Sequence, residues 1–229
     1  MDATVEAKNH AQVPHHSLAR PELRTPKAAA IAGLLFSILL ITIFVLLRSA
    51  VPADPREQGA WLKSDLTRVQ IVLNLLPFAA VAFLWFIGFL RDRLGQREDR
   101  FFATMFLGSG LLFLSMLFML AALMGGVLIA YSIQPETTTD SAAFHIVRAA
   151  SYDIVNIYMT KMGVVFVFAT SKITFHIGII PRWLTWVGYA LSVSLLIGSY
   201  YLTWSLIIFP LWVLLISFWM LRYDRRTAS

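Results

Sequence analysis

Lys161 is the residue whose type and position in this sequence best suit ligand binding. It lies in the apolar stretch 154–178, about 9–10 Å from one end of that stretch if the chain there is helical. A lysine ammonium donates three hydrogen bonds and accepts none, so inside a membrane it needs carbonyl oxygens, an amide or an anion beside it. Lys172 follows eleven positions later, almost three whole helical turns, and therefore shares the same helix face.

Further polar groups are predicted at a similar depth. Pro77 and Pro210 have no N–H, so each leaves one carbonyl of the preceding turn without its helical partner. The favoured interpretation is that Lys161 extends to the membrane surface, where its charge stays in water, or pairs with a structural partner. The alternative is a polar pocket around Lys161, formed with these carbonyls and the side chains of Asn74 and Tyr158, that binds an anionic headgroup or a carboxylate.

Other catalytic and metal-binding patterns are absent from the sequence. It contains no GxxxxGK[ST], HExxH or GxSxG motif, and no cysteine for a disulfide or a thiolate site. His145 and His176 fall near opposite faces of the predicted membrane region, so one monomer cannot bring them to a common metal or haem. We therefore predict a non-enzymatic protein with no catalytic residue, no metal and no cofactor.

Composition identifies the class of protein that must position these side chains. The chain has 229 residues, of which 58% are hydrophobic and 14% charged, with a mean hydropathy of +0.70. Soluble domains carry about 25% charged residues, so this chain is predicted to be a membrane protein. Its net charge of +6 lies beside the apolar runs, which indicates contact with anionic lipid headgroups and not with nucleic acid. The lipid bilayer is the main predicted partner.

The predicted fold is all-α: a polytopic membrane protein with six transmembrane helices in a bundle, occupying residues 28–222. Each span must supply about 20 residues to cross a hydrocarbon core of about 30 Å. The predicted spans are 28–47, 69–90, 101–131, 154–178, 183–200 and 204–221. Residues 1–27 are predicted to be a disordered cytoplasmic tail, 132–152 an external loop and 223–229 a second cytoplasmic tail.

The charged hinge between the second and third spans sets the orientation of the whole chain. Its arginines, Arg91, Arg93, Arg97 and Arg100, predict a cytoplasmic loop, and a binding site for lipid headgroups or a protein partner is the alternative. With both termini inside, twelve Lys and Arg residues face the cytoplasm and five face outward. The outward five are Arg48, Arg56, Lys63, Arg68 and Arg148. This imbalance predicts six spans with both termini cytoplasmic.

Four segments resemble a group of uncharacterised bacterial, largely actinobacterial, multi-pass integral membrane proteins of unknown function. They are PFAAVAFLWFIGFLRDRLG, EDRFFATMFLGSGLLF, PRWLTWVGYALS and FPLWVLLISFWML, and the resemblance extends from about Val69 to Leu221. It implies a multi-pass protein of the bacterial cytoplasmic (inner) membrane, and it implies no activity.

Three classes of function remain open at this point. The preferred interpretation is a non-enzymatic accessory, scaffold or regulatory membrane protein, with an anionic lipid or another membrane protein as its partner. The first alternative is a small transporter or a lipid- or anion-binding protein that uses the pocket around Lys161. The second alternative is a membrane enzyme that modifies lipids, although the sequence shows no nucleophile, metal site or base that such an enzyme would need.

Overall fold

The computed structural model describes most of the chain from Pro26 onward. The described residues are 26–54, 56–57, 59–94, 100–176, 178, 180–198 and 205–227. Within these ranges the backbone is helical apart from short connections, and no described residue belongs to a β-strand. The all-α prediction is therefore confirmed. The predicted tail 1–27 lies almost wholly outside the described residues.

Long apolar segments form the main helices, and short amphipathic segments form the others. The described α-helices are α1 (Pro26–Ala50), α2 (Trp61–Ser64), α3 (Leu66–Leu94), α4 (Arg100–Ile133), α5 (Pro135–Thr138), α6 (Ala142–Asp153), α7 (Thr160–His176), α8 (Arg182–Gly198) and α9 (Ile208–Thr227). A π-helix, Ile154–Met159, joins α6 to α7, and a 3₁₀ turn, Ser205–Ile207, precedes α9. Pro210 lies in the first turn of α9, where a missing N–H is tolerated.

Five helical stretches in the described part of the chain are long and apolar enough to cross a membrane. They are Lys27–Ala50, Leu66–Arg91, Arg100–Ile133, Ala142–His176 and Ser205–Arg222. They correspond to five of the six predicted spans. The remaining one, 183–200, corresponds to α8, which has 17 residues, and the turn predicted after it lies outside the described residues.

The segment 132–152 differs from the predicted external loop, because most of it is helical. Ser141 caps α6 by accepting a hydrogen bond from the Phe144 N–H at 3.2 Å, and α6 then continues through the π-helix into α7. Helix α6 is amphipathic, and its buried side contains Phe144, Arg148 and Ser151. The sequence predicts an external loop here because the segment is poor in Lys and Arg, although its apolar residues recur at helical spacing.

Five phenylalanines meet at the centre of the bundle, one from each candidate span. They are Phe36, Phe83, Phe113, Phe166 and Phe209, and each is fully or almost fully buried. Phe83 has the most ring neighbours, with centroid distances of 4.3 Å to Phe36, 5.2 Å to Phe166 and 5.6 Å to Phe209. We call these residues the phenylalanine centre. Edge-to-face and offset contacts of this kind stabilise ring pairs beyond simple burial.

The helices surround this centre in a closed arrangement. Helix α1 packs against α3 and α9, α4 packs against α3 and α7, and α8 packs on the outside of α7. Small residues allow α8 to approach closely, because Gly188 of α8 faces Ser171 of α7 and Trp212 of α9. Helices α9 and α7 are in turn joined by a hydrogen bond, in which the Trp212 indole Nε1–H donates to Thr170 Oγ1 at 3.1 Å. Close approach through small residues and hydrogen bonds between helices are the usual ways of joining helices in a membrane.

Candidate functional site

A cavity of about 50 Å³ lies where the C-terminal end of α1 meets α4 and the continuous helix formed by α6, the π-helix and α7. Arg48 of α1 and Arg148 of α6 line this cavity, and we call it the arginine pocket. Its apolar wall contains Phe44, Leu47, Leu120 and Met124, and its polar wall contains Ser151, Tyr152 and Asn156. The cavity is large enough for a small polar group or a few waters.

Arg148 is the most unusual residue of the pocket, because its side chain is only 5% exposed. Its Nη2 donates to the carbonyl oxygens of Pro52 and Asp54, at 3.1 and 3.2 Å, and its guanidinium lies 5.7 Å from the Trp61 ring centroid. The Nε–H is buried without a hydrogen-bond partner in the described part of the chain. A buried cation with unpaired donors is costly, often by several kcal/mol, unless an anion lies beside it.

Arg48 approaches the same cavity from α1. Its Nη2 donates to Asn156 Oδ1 at 2.9 Å, and the Asn156 amide in turn donates to the Tyr152 carbonyl at 2.9 Å. Arg48 and Arg148 are like charges on one cavity, and the nearby carboxylates of Glu57 and Asp54 offset their repulsion at Arg148. A phosphate or carboxylate between them would remove this repulsion and accept charge-assisted hydrogen bonds from both.

None of the described residues that line the pocket is acidic. Asp54 and Glu57 lie in the neighbouring loop, but both are exposed, and Asp54 Oδ1 accepts a hydrogen bond from the Arg56 N–H at 2.9 Å. Ser151 Oγ, on the pocket wall, is buried without a hydrogen-bond partner among the described residues, so it adds a second unused donor. The arrangement therefore offers donors and positive charge, which suit an anion and not a metal cation.

The π-helix contributes Asn156 to the polar wall of the pocket. Thr160 Oγ1 donates to the Val155 carbonyl at 3.0 Å, five residues earlier, and both Val155 and Asn156 lie in the π segment and line the cavity. The wider π turn changes the rotation of the residues before it relative to those after it. π segments of this kind are frequent at functional sites.

The described hydrogen bonds of Lys161 and Asn74 go to different helices. The Lys161 ammonium donates to the Leu196 carbonyl at 2.5 Å, near the C-terminal end of α8, where a cation is favoured by the helix dipole. Asn74 is exposed and donates to the Gln70 carbonyl of its own helix at 2.9 Å. Tyr158 is 53% exposed. Lys172 lies over the ring of Phe102, with its Nζ 5.9 Å from the ring centroid.

The predicted hinge falls mostly outside the described residues. Helix α3 ends at Leu94 and α4 begins at Arg100, so Arg97 is not described, and the position of the Arg93 side chain is not described either. Arg91 and Arg100 are both exposed. Their exposure fits an orienting role and equally fits a surface that contacts headgroups, so the hinge remains a prediction.

The arginine pocket itself was missed at the sequence level. The charge pattern accounts for Arg48 and Arg148 only as charges of external loops, although Arg148 is the sole Lys or Arg between Ser132 and Tyr152. A lone arginine among apolar residues at helical spacing was the available signal. Arg48 and Asn156, 108 positions apart, could not be paired without knowing how the helices pack.

Among the described residues, no group of three His, Asp or Glu side chains is placed to hold a metal ion. Comparison with other proteins adds no assignment, since the chain matches no protein-family model, no curated protein and no solved structure.

Proposed function

We propose that this chain is a six-span protein of the bacterial cytoplasmic membrane, with both termini in the cytoplasm. Five candidate spans and the apolar helix α8 support the count, and the excess of Lys and Arg in the inner segments supports the orientation. At 1.5 Å per residue, α8 is about 26 Å long, close to the thickness of the hydrocarbon core. The resemblance of residues 69–221 to bacterial membrane proteins supports the location.

A reporter that is active only in the cytoplasm tests this topology. Fused to Ser229 it should be active, and inserted after Asp140, an exposed residue between α5 and α6, it should be silent. If α8 does not cross the membrane, the chain has five spans and its ends lie on opposite sides. A silent reporter at Ser229, with an active one fused near Lys8, would therefore contradict the proposal.

For its biochemical role, we propose a non-enzymatic membrane protein that binds an anion in the arginine pocket. The supporting observation is the buried Arg148 guanidinium, which has a buried unpaired Nε–H and a second arginine across the cavity. In this topology the pocket lies at the outer ends of the helices, near the lipid headgroups. Its lining, as far as the described residues form it, contains neither a histidine nor a carboxylate as a general base, so binding is favoured over catalysis.

Methyl phosphate is a suitable probe, because it has an anionic head and almost no apolar part. We expect Arg148→Gln and Arg48→Gln each to weaken its binding to the purified protein by about tenfold or more, since a hydrogen bond to a charged group contributes roughly 1.5–3 kcal/mol. Arg56→Gln is the matched control, because Arg56 is an exposed arginine in the adjacent loop. The measurement is isothermal titration calorimetry on the folded, monodisperse variants.

Two outcomes would contradict anion binding. One is equal affinity in wild type and both pocket variants, which would place any bound phosphate elsewhere. The other is loss of thermal stability in Arg148→Gln with no measurable phosphate binding in wild type. In that case Arg148 acts only by holding the Pro52 and Asp54 carbonyls, a structural role.

A further inference from the structure

The apolar wall of the arginine pocket continues into a second cavity, of about 10 Å³, between α1, α3 and α4. Phe44, Leu47, Leu120 and Met124 line both cavities. The second cavity also contains Val72 and Leu76 of α3 and Leu117 of α4, and every residue of its wall is apolar. A site with positive charge at one end and hydrocarbon at the other matches the two parts of an amphiphile.

We infer that the anion bound in the arginine pocket is the head of a single-chain amphiphile, whose apolar chain enters the seam between α1, α3 and α4. The ligand class is an alkyl or acyl phosphate or carboxylate. This inference rests on the proposed anion binding and adds the identity of the ligand. The head lies between Arg48 and Arg148, and the chain passes the wall formed by Phe44, Leu120 and Met124.

The packing of the helices makes this seam the place where a chain can enter. Helices α1 and α3 pack closely and so do α3 and α4, whereas α1 and α4 are not close neighbours. The space between α1 and α4 is therefore filled by side chains and not by backbone contact. Side chains can change rotamer to admit a ligand more easily than helices can move apart.

Met124 is the side chain that must move. It is 3% exposed, it lines both cavities, and a cavity of about 10 Å³ cannot hold an alkyl chain until neighbouring side chains shift. Methionine is unbranched, with three rotatable side-chain bonds, so it adapts to an irregular apolar ligand at low cost. The seam is therefore too narrow for an alkyl chain as it stands, and a change in the rotamer of Met124 can widen it.

A photoreactive amphiphile tests the inference directly. The probe is dodecyl phosphate with a diazirine near the end of its chain, added to the full-length protein in a membrane scaffold and compared with methyl phosphate. We expect saturable labelling of Leu76 or Leu117 that excess methyl phosphate prevents and that Arg148→Gln reduces by about tenfold. Val72→Ile, which fills the apolar cavity, should reduce this labelling severalfold and leave methyl phosphate binding unchanged. Val81→Ile is its control, because Val81 is on the same helix and 47% exposed.

The outcomes separate this inference from the proposed function. If methyl phosphate binds but the diazirine labels only outward-facing residues such as Phe78 and Phe118, the ligand is a free anion or a headgroup whose chain stays in the bilayer, and the inference is wrong. The same conclusion follows if Val72→Ile changes nothing. If neither probe binds saturably, anion binding itself is wrong, and the inference with it.

Discussion

Replacement of Phe83 by alanine should destabilise the protein by about 3 kcal/mol, the lower end of the range for replacing a buried phenylalanine by alanine in a protein core. Phe83 is fully buried, and its ring lies at the phenylalanine centre between Phe36, Phe166 and Phe209. The lower end of this range applies because, in a membrane, the unfolded state exposes the Phe83 ring to hydrocarbon and not to water. The loss is therefore of packing and ring contacts, with a cavity left in their place.

Phe78→Ala is the matched control for this experiment. Phe78 is on the same helix, α3, but is 67% exposed on the outside of the bundle. Its replacement should change thermal stability by a few tenths of a kcal/mol, as surface substitutions usually do. Unfolding of the two variants in one detergent gives the comparison. Equal stabilities would mean that the phenylalanine centre is not the packed core of the bundle.

Gly188→Ala is expected to destabilise the protein by about 1–3 kcal/mol, the usual cost of adding atoms to a tightly packed site. A Cβ at Gly188 would overlap the Ser171 Oγ and come within 2.6 Å of Trp212. Neither neighbour can move easily, because Ser171 Oγ donates to the Val167 carbonyl at 2.6 Å and the Trp212 indole donates to Thr170. The substitution should therefore separate α8 from α7.

Gly126→Ala serves as the control, and the two substitutions should have opposite signs. Gly126 lies in α4, and a Cβ there would meet nothing within 4 Å. Alanine in place of glycine in an open helical position stabilises by roughly 0.5–1 kcal/mol, and Gly188→Ala gains the same helical preference before the steric cost. Thermal unfolding measures both. A stabilised Gly188→Ala variant would show that α7 and α8 can separate without loss.

The long helices could be predicted from the sequence because each has an unbroken apolar run of sufficient length. The 20 residues 28–47 lie inside α1, and the 22 residues 69–90 lie inside α3. Helix α6 could not be read in the same way, because it is amphipathic and its buried side includes a charged residue, Arg148. Hydropathy averages both sides of such a helix and so conceals it.

The candidate site was less predictable than the fold, for a geometric reason. The depth of Lys161 in a span can be counted along one helix, but its partner, the Leu196 carbonyl, depends on how α8 lies against α7. Asn74 has a similar depth by counting, yet it is exposed on another helix. Depth follows from spacing, whereas the direction of a side chain around the bundle follows from packing that one sequence does not reveal.

The phenylalanine centre also has a consequence for biosynthesis. Ribosomes and the translocon deliver the helices in chain order, and Phe209, on the last of the contributing helices, touches the rings of Phe36, Phe113 and Phe166. Helix α9 also packs on α1, the first of the described helices in chain order. A nascent chain that lacks α9 therefore lacks the ring contacts of Phe209 with the other helices, and the phenylalanine centre stays incompletely packed until α9 is made.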